Sequence, residues 1–477
     1  MEKNTPCIAM VPCPGTSHLI PQIELAKKLL HLHPNFTISL LIPSLGPPSP
    51  STTSILQSLP PSINIHFTIL PHINPQDLPP NADIPTLMLQ TVSHSLPSLS
   101  QALTSLASSR TRLVALVLNA FAVDAIDVAR EFGLPAYVYY PSCATALAFS
   151  LHYPKLEDDD GDDGIVVCRK FGELELKEPL KLPGCMPLRA QDLSDLIQDK
   201  STALHGTLLH LCKRLCLADG ILVNSFVDLE PEPIKALQNV APVYPVGPIV
   251  QTESNISSNS SECLAWLDNQ PTNSVLYVSF GSGGTLSPEQ FNELAYGLEL
   301  SGHKFLWVVR APNVGAADSS YLNAQKDDPL EHLPKGFLDR TKGRGFAVRS
   351  WAPQVEVLRH GSTCGFLTHC GWNSTLESVA CGRPLIAWPL CAEQRLNAAL
   401  VSEEFKVALR PKVNEKGIVG REEVSRVVKC LMEGDERKEM GRRMEVFKDA
   451  AVKAFSKDGS STKTFETLVT KWESLKN

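Results

Sequence analysis

The chain has 477 residues, 43% of them hydrophobic, enough to bury a large core spread over two or three domains. Its formal net charge of −7 argues against nucleic acid or an anionic membrane surface as partner. No stretch approaches the ~18 uninterrupted apolar residues of a membrane span, and the N-terminal MEKNTPCIAMVPCPG lacks the small-residue cleavage site of a secretory signal.

Thirteen cysteines without CxxC pairing read as reduced thiols of a cytoplasmic protein, not as zinc ligands. The sequons at Asn35, Asn255, Asn259 and Asn373 would then never meet glycosylation machinery.

In chain order, Cys7 to Pro12 predicts a strand, Pro21 to Leu32 an amphipathic helix and Phe36 to Ile42 a second strand. Leu113 to Leu118 and Ala136 to Tyr140 are further strands. Between them Val123 to Phe132 is a helix stopped by Gly133 and Pro135. Strands alternating with helices imply parallel βαβ units. The acidic run EDDDGDD at 157–163 has no His or Cys beside it and reads as a solvated loop. PVYPVGPIV (242–250) followed by QTESNISSNSSE (251–262) shifts from Pro-rich to Ser/Asn-rich, the composition of a linker.

The same rhythm then restarts. Ser274 to Phe280, Lys304 to Arg310, Gly345 to Val348, Gly365 to His369 and Pro384 to Trp388 are strands. Helices are expected at Pro288 to Glu299, at Ser374 to Ala380, at 421–433 and at 461–475, and Ala311 to Lys335 is a long excursion. The fold expected is α/β, with two doubly wound domains facing across a cleft. Residues 1–248 form the N-terminal domain, 249–262 the linker, 263–455 the C-terminal domain and 456–477 a last helix.

Ligands of open α/β sheets bind at the carboxyl ends of the strands. In GFLTHCGWNSTLES (365–378) a strand ends near His369, and Asn373 or Ser374 is placed to cap the next helix. The first N–H groups of that helix carry its positive dipole end and suit a phosphate. Gly371 would allow close approach, and His369, Asn373 and Ser374 can donate to phosphate oxygens without Lys or metal. Glu377, one turn on, suits a ribose diol. A capped core helix with a packed Trp is the bland alternative, but capping does not account for His, Trp and Glu together. SFGSGGT (279–285) is a second glycine cluster after a strand, with Ser282 as a further donor. As a nicotinamide or flavin fingerprint it is weak: the third glycine of GxGxxG is missing, and no acid ends the next strand, KFLWVVR.

The 44 residues from Trp351 to Gln394, WAPQVEVLRHGSTCGFLTHCGWNSTLESVACGRPLIAWPLCAEQ, resemble the signature box of plant family-1 (secondary-product) UDP-dependent glycosyltransferases. Further similarity runs through HLIP, LPGC, YPVGP, ECLAWLDNQP and LYVSFGSGGTLS, with the pattern of the hydroquinone (arbutin-type) glucosyltransferase branch. The resemblance implies the GT-B fold, with an acceptor site in the N-terminal half, a UDP-sugar site in the C-terminal half and a last helix that returns to the first domain. It implies that Trp351 stacks on uracil, Ala352 meets the base edge through its backbone and Gln354 lies beside the ribose. His369, Asn373, Ser374 and Ser282 would hold the diphosphate, Glu377 the ribose, and Trp372, Glu393 and Gln394 the sugar. The closing Gln goes with glucose, so UDP-glucose is the expected donor and no cofactor or metal is required. Cys364 stands where glycine is commoner, a difference of packing.

His18, in VPCPGTSHLIPQ, follows the first strand in what the sequence presents as a loop. A lone loop histidine is more often structural; the resemblance makes it the general base that takes the acceptor proton. Ser17 stands where glycine is common and is assigned to the donor side. Relatives end the strand LVALVLN with an aspartate that pairs with the histidine; here it is Asn119. An amide oxygen can fix an imidazole tautomer but cannot balance an imidazolium charge. Asp124 and Asp127 read as helix-face residues and do not replace it. Asn119 therefore suggests an acidic phenolic or flavonoid acceptor, with attachment at carbon as well as oxygen open. A UDP-sugar-binding protein with little transferase activity is the alternative. Segments 80–95, 142–155 and 183–205 are expected as loops around the acceptor, with Phe121 and Phe149 in its wall. A monomer is expected.

Overall fold

The structure, a computed structural model, describes residues 5–80, 82–108, 111–158, 179–193, 202–251, 258–312 and 328–474. Residues 159–163 of the acidic run, 252–257 of the linker and 313–327 of the long excursion lie outside the described residues. Two compact units result: Met1–Ala190, Asp195–Val250 and Ala451–Asn477 form unit 1, and Gln191–Ser194 and Gln251–Ala450 form unit 2.

Unit 1 holds strands β1 (Pro6–Val11), β2 (Thr37–Ile42), β3 (Ile65–Ile69), β4 (Arg112–Asn119), β5 (Ala136–Tyr140), β6 (Gly220–Val223) and β7 (Val243–Pro245). They form one parallel sheet in the order β3-β2-β1-β4-β5-β6-β7. After their first residue, β1 and β4 are buried throughout, which is why both read as unbroken apolar runs. The order reverses between β1 and β4, so their carboxyl ends mark the switch point where a doubly wound sheet takes its ligand.

The structure corrects several local expectations. The first helix spans Thr16–Leu32 with Pro21 inside it, whereas the amphipathic pattern had been expected to start at Pro21. Gly15 is its N-cap, and its carbonyl accepts from the N–H groups of His18 and Leu19. Two of the three segments expected as loops are largely helical, at Ile84–Ala107 and Ala144–Asp158; of the third, 194–201 lies outside the described residues. Asp83 caps the first of these helices through the Thr86 N–H at 2.8 Å. The second is capped from 86 residues away: the Glu230 carboxylate accepts from the Ala144 N–H at 2.8 Å and the Thr145 N–H at 3.0 Å. The helix Ser258–Asp268 also occupies the end of the stretch expected as linker.

The last helix, Ser460–Ser474, belongs to unit 1. Phe465, Leu468 and Trp472 are wholly buried in the core of the first sheet, each worth about 1.5–3 kcal/mol of burial or more. Trp472 meets Tyr137 edge-on at 5.4 Å, and the Ser461 hydroxyl donates to the Gly247 carbonyl.

Unit 2 holds β8 (Val275–Ser279), β9 (Lys304–Val309), β10 (Gly345–Arg349), β11 (Thr363–Thr368), β12 (Leu385–Ala387) and β13 (Ala408–Leu409). They too are all parallel, in the order β10-β9-β8-β11-β12-β13. Its core sets Leu276, Val278, Trp307, Leu367 and Ile386 against helices Pro288–Ser301 and Arg421–Glu433. Here the order reverses between β8 and β11, the strands that precede the two glycine clusters. Among the described residues no helix is long and apolar enough to cross a membrane.

Candidate active site

Each unit presents one candidate site at its own switch point. In unit 1, His18 lies in the first turn of helix Thr16–Leu32, seven residues after β1 ends at Val11. The loop expected around it is helical because Gly15 accepts the first helical hydrogen bonds. The residue is partly exposed but its ring Nδ1 is buried, and the ring meets Phe121 edge-on, centroids 5.4 Å apart at 87°. Burial lowers the imidazole pKa from its ordinary 6.5 to about 4, and the positive end of the helix dipole acts in the same direction. His18 is therefore neutral near pH 7, able to accept a proton, and poorly supported once it has done so. Ser17 sits beside it in the same turn, partly exposed.

Asn119 is the last residue of β4 and wholly buried. It caps a short 3-10 turn, Ala120–Ala122, its Oδ1 accepting from the Phe121 N–H at 3.1 Å. Its Nδ2 finds no hydrogen-bond partner among the described residues. The side chain thus fixes the backbone of Phe121, whose ring touches His18, and brings no negative charge. Phe149 stacks on the buried Tyr153 at 5.3 Å and 27°. The Tyr153 hydroxyl in turn hydrogen-bonds His205 Nδ1 at 3.1 Å. Phe149 is itself buried. Asp124 pairs with His210 at 2.7 Å and accepts from the Ser93 hydroxyl at 2.6 Å, a junction of three helical elements.

In unit 2, β11 ends at Thr368 and helix Trp372–Cys381 begins four residues later. Its N-cap is Gly371 and no side chain caps it. The expectation that Asn373 or Ser374 would do so is corrected: both lie inside the first turn. Asn373 keeps a buried Oδ1 with no hydrogen-bond partner among the described residues, and the Ser374 hydroxyl accepts from Gln354 Nε2 at 2.9 Å. Trp372 is buried.

His369 is wedged between backbones. A Cβ on Gly281 would lie 2.5 Å from its Cε1, and one on Gly371 would lie 2.4 Å from its Nε2. Both positions must be glycine for the ring to sit where it does. Burial, with the Arg310 charge nearby, lowers the His369 pKa to about 4, so the ring is a neutral hydrogen-bonding group.

Three of the expected donor residues, Gln354, Ser374 and Glu377, are joined by hydrogen bonds. Gln354 opens helix Gln354–Arg359, and its Nε2 donates to Glu377 at 2.7 Å as well as to Ser374. The Tyr277 hydroxyl reaches Gln354 Oε1 at 3.4 Å, which orients the amide. Trp351 follows β10 with half its surface exposed (52%), unusual for the largest aromatic and suited to stacking. Ala352 is buried beside it. Gln394 opens helix Gln394–Ala399, its Oε1 accepting from the Leu390 and Cys391 N–H groups at 2.9 and 3.0 Å. Glu393 sits at that helix's N-cap, and burial raises its carboxyl pKa. Ser282 lies partly exposed in the loop after β8.

Three residues of this site carried no sequence signal of their own: Tyr277, Arg310 and Asn397. Asn397, wholly buried, donates to the carbonyl of Cys370 at 2.9 Å. Cys370 has a φ of 63°, a left-handed conformation costly for a non-glycine residue. Arg310 donates to two carbonyls of the glycine cluster after β8.

The profile of the UDP-glucoronosyl and UDP-glucosyl transferase family matches residues 193–457. Hydroquinone glucosyltransferase of Rauvolfia serpentina is 49% identical over 99% of this chain and 98% of its own length. Phytolacca americana UGT2, solved with UDP-2fluoro-glucose and pterostilbene, is 47% identical with a TM-score of 0.87, over 98% of this chain and 100% of that one. A Polygonum tinctorium UDP-glucosyltransferase capable of glucosylating indoxyl, solved with 3,4-dichloroaniline, is 46% identical with a TM-score of 0.89, over the whole of both chains.

Proposed function

The chain belongs to the UDP-glucoronosyl and UDP-glucosyl transferase family and is a GT-B UDP-sugar glycosyltransferase, and from that premise we propose that it transfers glucose from UDP-glucose, with inversion, to phenolic or flavonoid acceptors of raised acidity. The observation that carries the acceptor reading is Asn119. The residue is uncharged and its oxygen serves the Phe121 backbone, while burial already disfavours the imidazolium form of His18. A base so placed works best when the acceptor gives up its proton readily.

The step is a single displacement. The acceptor oxygen bonds to the anomeric carbon as its proton passes to the His18 imidazole. The bond from that carbon to the β-phosphate oxygen breaks, UDP leaves with the electron pair, and the α linkage becomes β. Charge growing on the diphosphate is met by the N–H groups at the start of helix Trp372–Cys381 and by His369, Asn373, Ser374 and Ser282. Trp351 and Ala352 hold uracil, Gln354 and Glu377 the ribose, and Trp372, Glu393 and Gln394 the glucose. No cofactor enters, and activity is expected to persist in EDTA. Hydroquinone, pterostilbene and indoxyl, named with the relatives, are compact aromatic hydroxyl compounds, which supports the acceptor class.

Ionised polyphenols are also nucleophilic at ring carbons, and the same Asn119 favours that outcome on such acceptors. Rate measured against acceptor pKa over a phenol series tests the proposal. A rise with acidity supports it, and a flat profile with aliphatic alcohols glucosylated equally well overturns it. Acid resistance of the product bond separates carbon from oxygen attachment.

A further inference from the structure

Arg310 follows β9, at the strand end where a dinucleotide-binding sheet would carry an acid. Its side chain reaches across to the loop after the neighbouring strand β8. One nitrogen, Nη1, donates to the Gly281 carbonyl at 3.2 Å and to the Gly284 carbonyl at 3.0 Å. The carbonyl of one residue and the N–H of the next point in opposite directions across a trans peptide. Drawing the carbonyls of Gly281 and Gly284 toward the guanidinium therefore turns the N–H groups of Ser282 and Thr285 away from it. Gly281 is also the residue pressed against His369, with a φ of 71°, so the loop and the imidazole are held as one piece.

We propose that Arg310 is the positioning residue of the donor site: it clamps the 281–284 loop so that the Ser282 and Thr285 N–H groups are presented to the diphosphate of the UDP-sugar. The inference rests on the donor reading above. The clamp preorganises N–H donors that would otherwise have to reorient when the anion arrives, and it acts on the diphosphate rather than the nucleoside. The lowered pKa of His369 agrees with a guanidinium close to the loop.

Calorimetric titration of UDP and of uridine into the wild type, Arg310→Gln and Arg310→Lys tests this. Arg310→Gln is expected to lose about 10- to 100-fold in UDP affinity, while uridine, read by Trp351 and Glu377, stays within about twofold. Arg310→Lys keeps the charge but not the planar fork and falls between. Equal UDP affinity in all three proteins overturns the clamp. So does a uridine loss that parallels the UDP loss, since that marks a merely structural role. Should Arg310→Gln not fold, Arg310→Lys decides by the same ratio: a loss of about threefold or more confined to UDP supports the clamp, and none overturns it. A wild type that binds neither ligand sinks the donor reading itself, and the clamp with it.

Discussion

The two switch points occupy the same place in two similar sheets and carry one histidine each, yet they are built for different work. In unit 1 the ring of His18 stands at a helix start, against one phenylalanine edge. In unit 2 the ring of His369 lies so close to Gly281 and Gly371 that a Cβ on either would clash with it. Both imidazoles are held neutral with pKa values of about 4. Burial lowers the first, aided by the helix dipole, and burial with Arg310 lowers the second. The lesson is that a histidine after a β-strand has no fixed meaning. One ring stands beside a single aromatic edge, and the other lies between two glycine backbones.

The sharpest break in that comparison is His18→Ala. Turnover on weakly acidic phenols should fall about 10²–10⁴-fold while calorimetric UDP affinity stays unchanged; a parallel loss of UDP affinity would merge the two roles. Next comes Gly371→Ala, whose Cβ would meet His369 Nε2 at 2.4 Å. Overpacking of this kind should weaken UDP binding about 5- to 150-fold, and kcat at saturating donor should change far less.

Asn119→Asp sharpens the unit 1 side. A carboxylate favours the imidazolium, so turnover on weakly acidic phenols should rise about tenfold. The neutral ring is the active form and its pKa lies below 6.5, so the wild type should keep its activity as pH falls through 6.5. The aspartate variant should lose activity earlier, its acid limb moved upward; identical limbs in pH–rate profiles would refute the link. The smallest effect is expected from Cys391→Ser. Gln394 is held by two backbone N–H groups and only weakly, at 3.6 Å, by the Cys391 sulfur, so donor KM should stay within about twofold.

Much of the fold was legible because parallel strands buried on both faces must be apolar throughout, as CIAMV and LVALVL are. Most of the expected donor residues were legible because ten of them stand within one 44-residue stretch. Helix starts were less so. The amphipathic pattern pointed to a start at Pro21, but the chain folds the helix one turn and more earlier, because Gly15 offers a carbonyl to His18 and Leu19. The cap expected of Asn373 or Ser374 failed because the helix already starts at Trp372 with Gly371 as its N-cap, which leaves both residues inside the first turn. Helix Ala144–Asp158 escaped notice because its cap, Glu230, is 86 residues downstream.

By itself the order of residues determined two runs of βαβ units, the glycines at their junctions and the identity of the groups gathered at each strand end, since these follow from side-chain period and local backbone freedom. Tertiary structure alone decided that His369 is pinned by a glycine 88 residues before it, that Arg310 grips the loop of a neighbouring strand, and that the last helix closes the sheet of the first unit. Those contacts join positions far apart in the chain, and they form only because parallel strands bring their carboxyl ends side by side.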